Sequence, residues 1–541
     1  MTTTATDVEW IVDQVGRRSL RDLLDEQVAA HPDQTFLTFE ATDGAQTEFS
    51  YTQFAAAVDT FAGGLLDLGV GFGDRIAVHL PNGPEIVTTL FAAATIGAVL
   101  VPSNTANTGS ELGYVLSFSG AIAVVTTAAA LGTIAEAYGQ APDVRTVIVA
   151  RGDASVASSG DGAPSPDVRF RTVPFEQVAG ALPAGLRRPV DTDLLQLLFT
   201  SGTTARPKGV MLTHANALHS GVRESTGQAL DATDKLLTAL PLFHVNAQSL
   251  TLLSALTVGG TAVILESFSA GRFWGRVREH GATQVSLVAM QVRTLLAQPP
   301  SAQDAEHKVR RTFFAINVTD EERERFESRF AVRFINGYGL SETMTLVLHS
   351  PAFGPVRWPS LGRPALTRRV RLVDDAGRDV PPGEVGELLV HGVPGRTLML
   401  GYYQDPEATA ATVRDGWLST GDYMTADEQG YLYWFDRKKD VIKRAGENVS
   451  AGEVEAVIGT HPAVAEVAVI GVVDPIRDEA VLAIVVPRAG MQVTPDDVIA
   501  HCREHLASFK VPTLVQLWPE LPRTSVGKLA KGEIRQRVAE Q

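Results

Sequence analysis

Between residues 194 and 335 the chain alternates short β-rich apolar runs with helical segments, and this rhythm restricts its architecture more than any other feature. The runs fall at 194–199, 235–240, 261–265, 284–289, 311–315 and 332–335. A helix between two strands returns the chain to the end of the sheet where it began, so the series predicts a largely parallel sheet covered by helices on both faces. Runs at 369–373, 386–391 and 430–435 are separated by turn-rich links instead, which suits an antiparallel region. Upstream, 19–31 and 52–68 have helical apolar periodicity, and 74–80 reads as a short strand. Between 151 and 166 the composition shifts to Ala, Ser, Gly, Asp and Pro, the mark of an exposed loop.

A charged run, Asp436-Arg437-Lys438-Lys439-Asp440, follows the antiparallel region. Beyond it the chain restarts a compact pattern: helix 451–460, strands 466–472 and 481–487, and helix 494–507, which Thr494, Pro495 and Asp496 would start. A chain of 541 residues exceeds one ordinary core. The expectation is therefore an α/β protein in two parts: a large N-terminal domain over 1–436 and a small α+β C-terminal domain over 437–541. Residues 437–440 would form the hinge between them.

Composition removes several classes of function. A hydrophobic share of 45% with 20% charged residues describes a globular chain. A net charge of -15 argues against nucleic acid as a partner, because nothing would neutralise a phosphate backbone. Cys502 is the sole cysteine, so no intramolecular disulfide can form. His501, Cys502 and His505 read as ordinary helix residues rather than a metal cluster. Asp7, Glu9 and Asp13 near the start do not suit a secretory signal. The longest apolar stretch, 86–102, is interrupted by Thr88, Thr89, Thr95 and Gly97 and reads as a buried helix, not a membrane span. A cytoplasmic protein, monomer or homodimer, is expected.

The chemistry concentrates at 197–214, LLFTSGTTARPKGVMLTH. An apolar run opens into Thr200, Ser201, Gly202, Thr203 and Thr204, and Lys208 follows. Backbone amides and hydroxyls in a small-residue turn cradle an anion, and a lysine at the rim supplies charge for a polyphosphate. This is not a Walker loop, since Pro207 precedes Lys208 and Gly209 follows it. The stretch resembles the phosphate loop of adenylate-forming enzymes: acyl-CoA synthetases, adenylation domains and firefly-type luciferases. Three further matches follow in the order that family has them. Asn336-Gly337-Tyr338-Gly339-Leu340-Ser341-Glu342 is similar to its adenine and metal segment. The resemblance implies that Tyr338 stacks on adenine, Ser341 meets phosphate and Glu342 holds Mg²⁺, with Asn336, Gly337 and Gly339 in the same nucleotide site. A hard cation does favour carboxylate oxygen, and a planar base an aromatic face. Ser419-Thr420-Gly421-Asp422 resembles the ribose site, which implies that Asp422 and Arg437 bind the sugar. Residues 521–528, LPRTSVGK, match the loop that delivers the adenylation lysine, here Lys528.

Other matches distinguish branches. Pro241-Leu242-Phe243-His244 is similar to the acyl-CoA synthetase pattern, in which His244 would gate or line the acyl site. The run continues Val245-Asn246-Ala247-Gln248, without the aspartate that amino-acid-activating domains use for an ammonium group. By resemblance to CoA ligases Lys439 falls on the hinge, while Lys443 and Gly446 line the pantetheine tunnel. Segments 314–322, 357–363 and 443–450 resemble the crotonobetaine/carnitine-CoA ligase branch. Ala205 stands where the phosphate loop usually has glycine, and Ala315, Ile316, Asn317 and Val318 replace a small Gly-Ala-Pro segment beside adenine and acyl group.

The resemblance implies a large N-terminal domain of parallel sheets flanked by helices, a small antiparallel region and a mobile C-terminal domain. It implies an ATP-dependent carboxylate–CoA ligase with ATP, Mg²⁺ and coenzyme A, working through an acyl-adenylate. Small or apolar residues around His244, Val245 and Ala289 favour a hydrophobic medium-chain, aryl or polycyclic acid. A quaternary-ammonium acid would need an aromatic or anionic cage. The alternatives are a stand-alone adenylation enzyme loading a carrier protein, a catalytically silent nucleotide-binding protein on the same fold, and, more distantly, a luciferase-like oxygenase.

Overall fold

The computed structural model describes residues 15–151, 170–200, 207–314, 318–438, 440–444, 447–474, 478–523 and 529–540. Two compact units divide the chain. One holds Val390–Leu418 and nearly everything before Val370; the other holds Arg371–Leu389 and the chain from Ser419 onward.

The predicted alternation builds the first unit's nine-stranded sheet. Its centre runs Phe334–Leu340, Arg311–Phe314, Gln284–Leu287, Lys235–Thr238, Thr261–Leu265 and Thr35–Glu40. Neighbours in this series pair in parallel. Antiparallel strands Thr345–His349 and Gln46–Ser50 flank it. The strand Lys235–Thr238 has Thr261–Leu265 on one side and Gln284–Leu287 on the other, so the chain reverses its winding direction there. A crevice opens at the carboxyl ends of the strands at such a reversal.

The run at 194–199 does not join that sheet. It forms Leu194–Thr200 in a second, eight-stranded sheet with Val99–Pro102, Arg75–His79, Ala121–Thr127, Thr146–Ala150 and Arg171–Pro174. Its other neighbour is the antiparallel strand Lys208–Thr213, which no run along the chain announced. The apolar stretch 86–102 is a buried helix only in part: Pro84–Ile96 is helical, and Val99–Pro102 is a strand. Gly97 makes the break with φ 74°, and a Cβ there would lie 2.2 Å from the Phe72 ring.

Helices begin where side chains cap them. Ser19, Ser50, Thr108, Thr213, Thr319 and Thr494 each accept from the third amide of the helix that follows. No helix among the described residues is long and apolar enough to cross a membrane.

Mostly in the second unit, Gly386–His391, Trp417–Ala426 and Leu432–Arg437 belong to an antiparallel sheet that also takes in Arg369–Val373. A further sheet centres on the hairpin Val464–Asp474 and Asp478–Pro487. One face of that hairpin packs Val469, Val481, Ala483 and Val485 against Val454, Ile458, Val498 and Cys502. The other packs Ala468, Ile470, Leu482 and Ile484 against Leu521 and Ile534. Burial on both faces explains its nearly unbroken apolar sequence.

Candidate active site

The hydroxyl-rich loop leaves one strand and returns on its antiparallel neighbour, so Thr200 and Lys208 are register partners. Ser201, Gly202, Thr203, Thr204 and Ala205 lie outside the described residues. The short strand Gly401–Tyr402 pairs with the outer edge of the return strand, Tyr402 opposite Val210. This brings the Tyr402 ring beneath Lys208, whose Nζ is 4.7 Å from its centroid. The Tyr402 hydroxyl donates to Glu342 Oε1 at 2.9 Å, and the Met399 amide donates to the Glu342 carbonyl at 2.7 Å. Burial, with the Glu342 carboxylate beside it, holds the Tyr402 phenol above its usual range, so it remains a donor. A cation, a phenol and a carboxylate from three distant segments thus meet at one rim. Tyr402 was not among the residues singled out by sequence. Its link to Glu342 spans 60 positions and leaves no local pattern.

Asn336, Gly337, Tyr338 and Gly339 lie within the strand Phe334–Leu340, and Ser341–Thr343 forms a single tight helical turn. Asn336 is buried; its amide donates to the Ser360 carbonyl at 3.2 Å and its own carbonyl accepts from the Ser350 amide at 2.7 Å. Both glycines allow close approach of neighbouring strands. A Cβ on Gly337 would lie 2.6 Å from the Phe313 ring, and one on Gly339 2.5 Å from the Thr345 carbonyl. Tyr338 is half-buried. After the turn, Met344 and Thr345 take φ values of 39° and 70°. Such left-handed conformations cost non-glycine residues about 1–3 kcal/mol each, and they persist only where the surroundings enforce them.

His244 stands at the winding reversal. The segment 241–244 leaves the carboxyl end of Lys235–Thr238, and His244, exposed, precedes the helical turn Val245–Ala247 with its ring 4.7 Å from that of Phe243. Buried Asn82 anchors the segment: its amide donates to the carbonyls of Leu240 and Leu265 at 3.0 Å, and its oxygen accepts from the Leu242 amide at 2.8 Å. Gln248 donates to the Leu242 carbonyl at 2.9 Å. The Ser286 hydroxyl donates to Asn246 Oδ1 at 3.0 Å. Sequence reading missed Asn82, which sits in a turn-like Pro-Asn-Gly. Val318 and Ala289 are buried, whereas Ala315, Ile316 and Asn317 lie outside the described residues.

In the second unit, Asp422 is fully buried within the strand Trp417–Ala426. Gly421 adopts φ 70°, and the register shifts just after Tyr423. Asp422 faces Arg437 across the ladder, with Arg437 Nε 2.7 Å from Asp422 Oδ1. Thr420 donates to the Leu388 carbonyl at 2.8 Å and accepts from the Asp422 amide at 3.1 Å. Lys438 pairs with Glu387 at 2.7 Å. Lys439, Gly446 and Lys528 lie outside the described residues, as does the side chain of Lys443.

An α/β fold whose rim joins a lysine, a phenol and a carboxylate defines a nucleotide-handling enzyme. The chain belongs to the AMP-binding enzyme family, whose model matches residues 24–403; the model of the AMP-binding enzyme C-terminal domain matches 453–528. It is 37% identical over 530 residues to the crotonobetaine/carnitine–CoA ligase of Citrobacter koseri, covering 97% of this chain and 100% of that protein. The O-succinylbenzoate coenzyme A synthetase of Bacillus subtilis, solved in complex with ATP and magnesium ion, superposes with a TM-score of 0.80. It is 25% identical, over 96% of this chain and 100% of that one. A benzoate CoA ligase from Burkholderia xenovorans LB400 gives 0.78 at 25% identity, over 96% and 100% of the two chains.

Proposed function

We propose that this chain is an ATP-dependent acyl-CoA ligase that activates a hydrophobic carboxylic acid, medium-chain, aryl or polycyclic, as its acyl-adenylate. The observation that carries the reading is the rim of Lys208, Tyr402 and Glu342 beside the ends of the hydroxyl-rich loop. ATP, the acid and coenzyme A are the reactants, and Mg²⁺ is the metal. The donor chemistry fits that ion: Glu342 offers a half-buried carboxylate, already oriented by a phenol that cannot compete as an anion. Bound there, Mg²⁺ would neutralise triphosphate charge.

The chain's own residues then have distinct tasks. Lys208 places a cation against the phosphates. Tyr338 supplies a face for adenine, Ser341 a hydroxyl for phosphate, and Asp422 with Arg437 the ribose contacts. The carboxylate of the acid attacks the α-phosphorus, the bond to pyrophosphate breaks, and the adenylate forms. Lys528 bridges the two anions in that step, an interaction stronger in the transition state than before it. His244, at the mouth of the crevice, gates or lines the acyl site. In the second step the coenzyme A thiolate attacks the acyl carbon and AMP leaves, with Lys443 and Gly446 lining the approach. A domain boundary at 437–440, pivoting on Lys439, would let one small domain serve both steps.

Carboxylate-dependent exchange of pyrophosphate into ATP, followed by thioester formation on adding coenzyme A, tests the reading. ADP and phosphate as products would overturn it, and acylation of a holo carrier protein in place of coenzyme A would move the chain to the stand-alone adenylation class. A panel of acids scored by pyrophosphate release tests the substrate. Full-length similarity to the crotonobetaine/carnitine–CoA ligase favours a second reading, a quaternary-ammonium acid, which the same panel includes.

A further inference from the structure

Behind the rim, two fully buried ionic side chains converge on one short segment. Glu224, on the helix His214–Gly227, accepts from the Thr345 hydroxyl and from the Leu346 amide, the latter at 3.2 Å. Arg368, presented by a turn in which Thr367 has φ 66°, donates to the Leu346 carbonyl at 3.1 Å and to the carbonyls of Thr343 and Thr397. The residues held between these contacts are Met344 and Thr345, the two left-handed positions that follow Glu342. A β-branched residue in that region relaxes unless its neighbours are fixed. Thr343 is bonded directly to Glu342 in the chain. Thr397 lies two residues before Met399, whose amide holds the Glu342 carbonyl. Arg368 therefore reaches Glu342 through both segments that define its backbone.

Stability alone is a poor explanation for this arrangement. Burial pushes the Glu224 carboxyl up to about 7 and lowers the Arg368 guanidinium, and well-packed apolar groups commonly serve a core as well as buried ions do. What apolar groups cannot do is grip a hydroxyl, an amide and three carbonyls at fixed positions.

We propose that Glu224 and Arg368 are positioning residues that hold the strained segment 343–346 and thereby set the direction in which Glu342 presents its carboxylate to a metal–triphosphate. The inference rests on the reading of Glu342 as the Mg²⁺ ligand, and the experiment separates the two. ATP affinity is measured by calorimetry with Mg²⁺ and with EDTA, on the full-length wild type and on Glu342→Gln, Arg368→Met and Thr345→Gly. Thr345→Gly is the variant that must fold, since glycine accepts φ 70° without strain. Backbone hydrogen exchange over 338–348 is followed in the same proteins without nucleotide.

All three variants are expected to lose at least fivefold of the Mg²⁺-dependent gain in ATP affinity, with AMP affinity unchanged. Arg368→Met and Thr345→Gly should also exchange faster over 338–348, whereas Glu342→Gln should not. If Glu342→Gln loses the gain while folded Thr345→Gly keeps it and its slow exchange, positioning is overturned and the metal reading stands. A Glu342→Gln variant that keeps the gain overturns the metal reading, and the proposal with it. Equal loss of AMP affinity would mean a merely structural role and would also overturn it.

Discussion

The rim around Lys208 and the pair Asp422–Arg437 are two ways of building an ionic site. Asp422 and Arg437 are register partners on adjacent strands, so the antiparallel ladder alone brings them together. Lys208, Tyr402 and Glu342 come from three segments far apart in the chain, one of them a two-residue strand that docks on a sheet edge. Arg437 keeps 43% of its side chain exposed while Asp422 is buried; at the rim, the phenol is the buried member and the charges are half-exposed. A locally built pair risks stability when it is broken, whereas a rim assembled over distance risks chemistry.

That contrast can be broken most forcefully at Lys208. Lys208→Ala should lower pyrophosphate exchange by roughly 10²-fold or more, the usual cost of removing a preorganised charge partner, with little change in melting temperature. A variant that melts early would place Lys208 with the structural pairs instead. At the other site, Arg437→Met should cost the second unit roughly 1–3 kcal/mol, because Asp422 keeps its burial and water replaces only part of the guanidinium. Urea denaturation checks this; unchanged stability would erase the distinction between the regions.

Tyr402→Phe should have a smaller effect, about tenfold on exchange, from loss of one hydrogen bond to a carboxylate. Since the ring beneath Lys208 survives, the Mg²⁺ requirement should change more than the ATP requirement. The mildest effect near neutral pH lies in the first unit's interior. Burial lowers His79 and His214 to about 4 and His219 to about 3. Each binds a proton more readily once unfolded. Stability is therefore fully present above about pH 6.5 and lost as pH falls towards 4. His219→Gln should flatten that acid slope in melting curves taken from pH 7 to 4.5.

How much of this was legible depended on range. The parallel strands at 235, 261, 284 and 311 announced themselves because period and spacing are properties of neighbouring residues. Residues 208–213 did not, since Pro207, Lys208 and Gly209 look like loop until Leu194–Thr200 pairs with them. Asp422 was singled out by its motif, yet its place within a strand shows only once Leu432–Arg437 pairs with it. Glu342 was singled out in the sequence, but Tyr402, which donates to it, was not. Tyr402, Glu224 and Arg368 act across a folded interior, and no pattern along the chain connects them.

The hairpin of the second unit has a kinetic consequence. Its arms pair almost residue for residue from Val464 opposite Pro487 to Asp474 opposite Asp478. Closing it joins Asp474 to Asp478, only a few positions apart in the chain, so the conformational search is short. Once closed, it offers one apolar face to the helices Ala451–Gly459 and Pro495–His505, its near neighbours in the chain, and the other to Leu521 and Ile534. Such a unit should gain its structure early during refolding and surrender its central amides last, opening as one cooperative block.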